Sequence, residues 1–151
     1  MPDTSVTRVL FACVHNAGRS QMAAAWFNAL ADSSKAEAMS AGTQPGTSVH
    51  PEVLDAMQEV GIDLRDARPQ LLSDELAGTV RMLVTMGCGE ACPHVPGIQR
   101  LDWPLRDPKG RPPAEVRAIC AEIRQLVYDL LESNAWVRTT PLVRRPSSEV
   151  M

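Results

Sequence analysis

Residues 6–20 read VTRVLFACVHNAGRS, an apolar run that passes directly into a loop containing cysteine, glycine and arginine. The apolar part, residues 6–12, is rich in β-branched and aliphatic side chains and predicts a buried strand. From residue 20 to about residue 32, apolar residues recur near helical spacing between alanines, which predicts a helix. Strand, tight loop and helix in this order indicate the opening unit of an α/β domain.

The rest of the chain continues this alternation of strands and helices. Further predicted elements are a strand over 36–40, a helix from Pro51 to Gly61, strands over 80–86 and 98–103, and a helix over 115–131. In the helix that starts at Pro51, the side chains expected to face inward are Val53, Leu54, Met57 and Val60. The pattern predicts an α/β fold, a doubly wound, four-stranded parallel sheet with helices on both faces, whose ligands bind beyond the carboxyl ends of the strands.

Length and charge limit the possible functions. A chain of 151 residues is expected to form one domain, here residues 1–137, followed by a mobile, peripheral tail over 138–151. The net charge of −3 predicts no binding to nucleic acid or to an anionic membrane surface. No apolar run approaches the roughly 20 residues of a membrane span, and no export signal precedes residue 13, so a cytoplasmic location is expected.

The segment CVHNAGRS, residues 13–20, has the composition of an oxyanion-binding loop. Between a strand and a helix, backbone N–H groups lack helical partners and the helix dipole is positive. The residues expected to bind the oxyanion are Val14, His15, Asn16, Ala17, Gly18, Arg19 and Ser20. Arg19 can hold two oxygens of the anion, and the same field favours the thiolate of Cys13, the expected nucleophile. The alternative is a buried Cys13 and a surface Arg19 without chemistry.

A carboxylate is predicted to reach this loop from the other half of the chain. Asp107 precedes Pro108 in a loop rich in proline and glycine after the fourth predicted strand, where it can lie over the strand ends and transfer a proton. The alternative is that Asp107 only stabilises a turn.

The other cysteines differ in their surroundings. Cys88 and Cys92 follow the third predicted strand in TMGCGEACP, between glycines. A zinc site that includes His94 lacks a second ligand pair, so no metal site is expected, and two structural thiols are the ordinary alternative. Cys120 lies in the apolar stripe of the last helix and is expected to be a core residue.

These motifs resemble the low-molecular-weight protein tyrosine phosphatases and the arsenate reductases related to them. The resemblance extends over nearly the whole domain, through VLFACVHNAGRSQMAAAW, SAGTQP, VTMGCGEACP and DWPLRDPKG. Within this superfamily the chain resembles the reductase branch. The phosphatases have proline after the Arg-Ser pair and an aromatic residue after the Asp-Pro pair, whereas this chain has Gln21 and Lys109.

The resemblance implies an arsenate reductase in which the Cys13 thiolate attacks arsenate, Asp107 is the general acid, and a disulfide cascade runs through Cys88 and Cys92. It implies that thioredoxin recycles the oxidised enzyme and that no cofactor is bound. It also implies that phosphate or sulfate competes with arsenate. The order in which Cys88 and Cys92 attack stays open. Alternatives are a tyrosine phosphatase, an arsenate–mycothiol transferase served by a glutaredoxin-like partner, and a noncatalytic oxyanion-binding or redox-sensing module. The monovalent-cation site of some relatives is not expected, because Ala24 and Gln70 replace its acidic residues.

Overall fold

A parallel sheet forms the centre of the molecule. The computed structural model describes residues 6–87 and 97–138, and within these residues four strands lie in the order β2-β1-β3-β4. The strands are β1 (Thr7–Cys13), β2 (Ala36–Gly42), β3 (Met82–Thr85) and β4 (Gln99–Asp102), and all neighbours are parallel. Each strand overlaps a predicted one, so the predicted four-stranded parallel sheet is confirmed.

Helices follow the strands as the hydrophobic pattern predicted, with one addition. They are α1 (Arg19–Leu30), α2 (Pro51–Glu59), α3 (Asp74–Ala77) and α4 (Pro113–Ser133). The sequence did not predict α3, a single turn in which the Ser73 hydroxyl accepts the N–H of Leu76 at 3.0 Å. A helix this short cannot show a periodic apolar stripe.

The end of α2 corrects one predicted core residue. The Gly61 N–H binds the carbonyl of Gln58, and the Ile62 N–H binds that of Met57, the paired bonds of a Schellman motif. Gly61 has a φ of +87°, which an L side chain rarely adopts. The helix therefore stops at the predicted place. Its last turn rotates Val60 away from the core, so Val60 is 46% exposed and the prediction that it faces inward is wrong.

Both faces of β1 are buried, because alternate residues of a strand point to opposite sides. Val9, Phe11 and Cys13 belong to a cluster formed with the apolar residues of α1, α2 and α4. Leu10 and Ala12 belong to a second cluster on the other face, which includes residues of α3. Helices thus pack on both faces of the sheet, as predicted.

The strand order places a crevice at Cys13. From β1 the chain passes to β2 on one side and later returns to β3 on the other side, so the connections diverge beyond the carboxyl ends of β1 and β3. In open α/β sheets ligands bind at such a switch point. The register pairs Ala12 with Thr85, so Cys13 lies beside the end of β3.

The long helix α4 confirms the clearest prediction from the sequence. The buried residues of this helix form the apolar stripe in which the sequence predicted Cys120 to lie. They are Val116, Ile119, Cys120, Ile123, Val127, Leu130 and Leu131. The Cys120 sulfur accepts the indole N–H of Trp26 at 3.4 Å, and burial raises the pKa of this thiol. Cys120 is therefore a core residue and not a nucleophile.

The boundary of the tail differs slightly from the prediction. Arg138, assigned to the tail, donates its backbone N–H to the Leu30 carbonyl at 2.8 Å. The rest of the predicted tail lies outside the described residues. Among the residues that are described, no helix is long and apolar enough to cross a bilayer.

The packing of α4 against the sheet gives a stability prediction. Ile123 is fully buried, so Ile123→Ala should lower the free energy of unfolding by about 2–5 kcal/mol through lost burial and a residual cavity. Urea unfolding followed by circular dichroism measures this loss. Glu132→Ala on the exposed face of the same helix is the control and should change stability by at most about 0.5 kcal/mol. Equal effects of the two substitutions would contradict the assigned faces.

Candidate active site

The predicted oxyanion loop, residues 13–20, leaves the carboxyl end of β1 and enters α1 at Arg19. Cys13 is only 3% exposed and lies at the base of this loop. The helix starts without a side-chain cap, because Gly18 occupies the N-cap position. An anion at this point would meet the positive end of the helix dipole.

The carbonyl groups of the oxyanion loop bind a second loop. Residues 43–50, the bracing segment, connect β2 to α2 and donate backbone N–H groups to the oxyanion loop. The pairs are Thr43 to Cys13 (3.2 Å), Gln44 to Val14 (2.7 Å), Gly46 to His15 (2.9 Å) and His50 to Ala17 (2.9 Å). Within residues 6–87 and 97–138, the N–H groups of residues 14–18 have no hydrogen-bond acceptor. They form a concave set of donors of the kind that binds anions.

Gly42 makes this contact possible. A β-carbon at this position would lie 2.6 Å from the Val14 carbonyl oxygen and 2.9 Å from the Asn16 nitrogen. Only glycine lets the end of β2 come so close to the oxyanion loop. The glycine of the SAGTQP motif is therefore required by the shape of the site.

Asn16 braces the loop from inside. It is fully buried and has a φ of +51°, a left-handed conformation that asparagine tolerates better than most residues. Its side-chain oxygen accepts the Gln70 backbone N–H at 2.9 Å, and the Gln21 amide donates to its backbone carbonyl at 3.1 Å. The Gln21 amide also lies 3.3 Å from the Arg68 carbonyl, which links the loop to residues 68–70.

The same asparagine orients the hydroxyl group beside the nucleophile. The Asn16 amide nitrogen, which can only donate, lies 2.8 Å from the Ser20 oxygen. Ser20 therefore accepts this bond, and its own hydrogen is free to point to the Cys13 sulfur, 2.9 Å away. The Ser20 hydroxyl group is thereby oriented toward the nucleophilic sulfur.

Arg19 is fixed with its guanidinium group at the sheet edge. Its side chain is 11% exposed, its Nη1 donates to the Leu105 carbonyl at 3.1 Å, and its Nη2 lies 3.9 Å from an Asp107 oxygen. A β-carbon on Gly87 would lie 2.6 Å from Nη1, so this glycine leaves room for the guanidinium group. Among the contacts with residues 6–87 and 97–138, further N–H donors of Arg19 stay available for an anion.

Asp107 makes a turn contact and also faces Arg19 of the oxyanion loop. One carboxylate oxygen accepts the Lys109 backbone N–H at 3.0 Å, which is a turn contact. The other faces Arg19, and the side chain is 47% exposed. The turn orients the carboxylate toward the oxyanion loop, and proton transfer by Asp107 stays a prediction.

Two residues that the sequence did not indicate complete the site. The His50 ring lies 3.5 Å from where a β-carbon of Gly18 would be, and burial lowers the pKa of His50, although Glu52 and Asp107 oppose this. Glu52, in the first turn of α2, accepts the Gly110 N–H at 2.6 Å. An acidic residue in the first turn is ordinary helix chemistry, so nothing in the sequence distinguished it.

Cys88, Cys92 and His94 lie outside the described residues, and their roles stay predictions. Within residues 6–87 and 97–138, no group of three or more histidine, cysteine or acidic side chains is placed to hold a metal ion. The residue before Cys88 is Gly87, which leaves the space that the Arg19 guanidinium group occupies. The two residues that replace the acids of the monovalent-cation site are both described. Ala24 is buried, and the Gln70 side-chain amide donates to the Ser40 carbonyl at 2.8 Å.

Known proteins are similar to this chain in sequence and in fold. Residues 8–136 match the family model described as low molecular weight phosphotyrosine protein phosphatase. An arsenate reductase of Staphylococcus aureus (strain Newman) is 33% identical over 121 residues, which are 77% of this chain and 89% of that protein.

Two solved structures extend the comparison. A thioredoxin-dependent arsenate reductase of Corynebacterium glutamicum has a TM-score of 0.75 and 40% identity over 87% of this chain, which spans only 63% of that protein's length. An arsenate reductase of Archaeoglobus fulgidus has a TM-score of 0.70 and 33% identity, with 82% of this chain and 98% of that protein covered.

The geometry of Arg19 predicts that lysine cannot replace it. A lysine offers one point charge, which cannot bind both the Leu105 carbonyl and two oxygens of a tetrahedral anion. Arg19→Lys should weaken the binding of inorganic phosphate by roughly 10–100-fold, the range for losing a charged hydrogen bond. Isothermal titration calorimetry measures this. Arg68→Lys, outside the loop, is the control, and unchanged affinity in Arg19→Lys would remove Arg19 from the anion site.

Proposed function

The chain belongs to the low molecular weight phosphotyrosine protein phosphatase family, and we propose that it is an arsenate reductase of this family. The observation that carries the proposal is the Cys13 sulfur, 2.9 Å from the Ser20 hydroxyl, at the base of a loop whose N–H groups are available to an oxyanion. The arsenate reductases similar to this chain support the choice of substrate.

The first step forms a bond between sulfur and arsenic. Arsenate binds to the N–H groups of residues 14–18 and to Arg19, and the Cys13 thiolate attacks arsenic. One arsenic–oxygen bond breaks as Asp107 protonates the leaving oxygen, which departs as water. No electrons have been transferred at this stage, and arsenic remains pentavalent.

Reduction occurs in the second step. The Cys88 thiolate attacks the Cys13 sulfur, a disulfide forms, and the sulfur–arsenic electron pair passes to arsenic, which leaves as trivalent arsenite. Cys92 then attacks Cys88, which frees Cys13 and leaves a Cys88–Cys92 disulfide. Thioredoxin supplies the two electrons that reduce this disulfide, so no bound cofactor is needed. This thiol chemistry requires a reducing compartment, and we place it in the cytoplasm.

The position of β3 supports the second step. The carboxyl end of β3 lies beside that of β1. Gly87, which directly precedes Cys88, lies next to Arg19, since a β-carbon on Gly87 would be 2.6 Å from its Nη1. A phosphatase would need Cys13, Arg19 and Asp107 but would have no use for Cys88 and Cys92. Lys109, in place of an aromatic residue after the Asp-Pro pair, also gives no apolar surface for a tyrosine ring.

The function is tested by arsenate-dependent NADPH consumption with thioredoxin and thioredoxin reductase. A parallel assay replaces them with mycothiol and a glutaredoxin-like protein, and a third measures p-nitrophenyl phosphate hydrolysis. The proposal requires consumption in the thioredoxin assay that disappears in Cys13→Ser, because a serine hydroxyl supplies almost no anion near neutral pH. Turnover only with mycothiol would show a transferase, and hydrolysis without arsenate reduction would show a phosphatase.

The separate roles of Cys88 and Cys92 give the sharpest prediction. Cys88→Ser should release no arsenite above background, because nothing attacks the Cys13–arsenic adduct. Cys92→Ser should release about one arsenite per chain and then stall as a Cys13–Cys88 disulfide, since exchange ends without a third thiol. Arsenite analysis, with mass spectrometry of peptides digested without reductant, measures both.

Cys120→Ser is the matched control, because Cys120 is buried in the core and should not affect turnover. If Cys92→Ser released no arsenite and Cys88→Ser released about one per chain, Cys92 would be the first thiol to attack. Normal turnover of both variants with thioredoxin would refute the intramolecular cascade.

A further inference from the structure

The loop that carries Asp107, residues 103–112, connects β4 to α4 and is tied to α2 by one short hydrogen bond. The Gly110 N–H donates to a carboxylate oxygen of Glu52 at 2.6 Å. The two residues are 58 positions apart in the sequence, so the bond joins separate parts of the fold. Glu52 takes no part in the proposed attack, proton transfer or disulfide exchange.

Before Asp107, this loop is held by Arg19, whose Nη1 donates to the Leu105 carbonyl at 3.1 Å. The hydrogen bonds after Asp107 fix the internal shape of the loop. The Lys109 N–H binds the Asp107 carboxylate at 3.0 Å, and the Arg111 Nε binds the Asp107 carbonyl at 2.6 Å. Both bonds join neighbours within the loop and would be kept if the whole loop shifted. The Arg111 Nη1 also reaches Glu115 in the first turn of α4 at 3.1 Å. The contacts after Asp107 do not fix the distance between Asp107 and the oxyanion loop, and the Arg19–Leu105 bond holds the loop only on the other side of Asp107.

The start of α2 can fix that distance, because it touches both loops. The His50 N–H, at the N-cap position, donates to the Ala17 carbonyl of the oxyanion loop. Glu52, two residues later, holds Gly110. The segment from His50 to Glu52 thus bridges the loop that carries the nucleophile and the loop that carries the carboxylate.

We propose that Glu52 is a positioning residue, which holds Asp107 beside Arg19 of the oxyanion loop through the Gly110 N–H without touching the substrate. This inference rests on the proposed role of Asp107 as proton donor. A shift of about 1 Å in a reacting group can reduce the rate by as much as 100-fold, so one anchoring bond can matter.

The charge state of Glu52 agrees with this role. Its pKa is lowered because the carboxylate accepts hydrogen bonds from the backbone N–H groups of Glu52 and Gly110. Ionised Glu52 is then a strong acceptor for Gly110 near neutral pH. A glutamine oxygen could accept the same hydrogen bond without a negative charge. The substitution Glu52→Gln therefore separates the effect of the hydrogen bond from the effect of the charge.

A double-mutant cycle with Asp107→Asn tests the inference. At saturating arsenate, Glu52→Ala should reduce kcat by roughly tenfold in the wild-type background, within the range expected for a misplaced group. In the Asp107→Asn background it should cost less than about twofold, because two residues that act through one contact are not additive. Glu52→Gln should restore most of the rate, and Asp55→Ala, which removes an exposed carboxylate from the same helix, should leave it unchanged.

Equal losses from Glu52→Ala in both backgrounds would show a general structural effect and overturn the inference. An unchanged kcat in Glu52→Ala would also overturn the positioning role of Glu52. The proposed arsenate reductase function would still stand in that case. Asp107→Asn at the wild-type rate would remove both the proton donor and its positioning residue, while attack by Cys13 would stand.

A measurement without turnover separates this inference from the proposed function. In nuclear magnetic resonance of the wild-type protein, the Gly110 amide should exchange slowly with solvent, and Glu52→Ala should raise its exchange rate by about tenfold or more, as expected when a local hydrogen bond is lost. Glu52→Gln should retain the protection. Rapid exchange of the wild-type Gly110 amide would overturn the inference even if arsenate proved to be a substrate.

Discussion

Backbone hydrogen bonds from the bracing segment hold four carbonyl groups of the oxyanion loop away from the anion, and the rest of the site depends on this. The four carbonyl groups belong to Cys13, Val14, His15 and Ala17. Carbonyl oxygens turned inward would repel an oxyanion, whereas free N–H groups attract it. The sheet makes these bonds possible. Cys13 pairs with Gly42 at the ends of β1 and β2, so the two loops leave the sheet side by side.

A buried polar network then orients the nucleophile. Gln21 and Gln70 hold Asn16, Asn16 donates to Ser20, and Ser20 is left to face the Cys13 sulfur. Such networks are rigid when every member has a partner and costly when one is lost. The site thus combines a fixed anion loop with an acid on a separate loop, and α2 touches both.

The oxyanion loop alone does not decide between phosphatase and reductase chemistry. It can bind either tetrahedral anion and attack it with sulfur. The outcome depends on whether another thiol reaches that sulfur, since the attack passes an electron pair to arsenic. The sequence places Cys88 directly after Gly87, the residue that leaves room for Arg19, and this makes the reductase the better proposal.

The sequence by itself determined the strands, the oxyanion loop and the long helix, because their signals are local. An apolar run, a glycine at a strand-to-helix junction and an apolar stripe in α4 need no knowledge of distant contacts. The same locality explains the error at Val60, whose spacing fits the stripe although the helix has already ended.

Only the tertiary structure decided which polar side chains support the site. The side chains of Gln21 and Glu52 bind groups that packing brings to them, the Asn16 carbonyl and the Gly110 N–H. The partner of Glu52 is 58 residues away. A single amide or carboxylate carries no periodic signal, and its hydrogen-bond partner is fixed only when separate segments of the chain pack together.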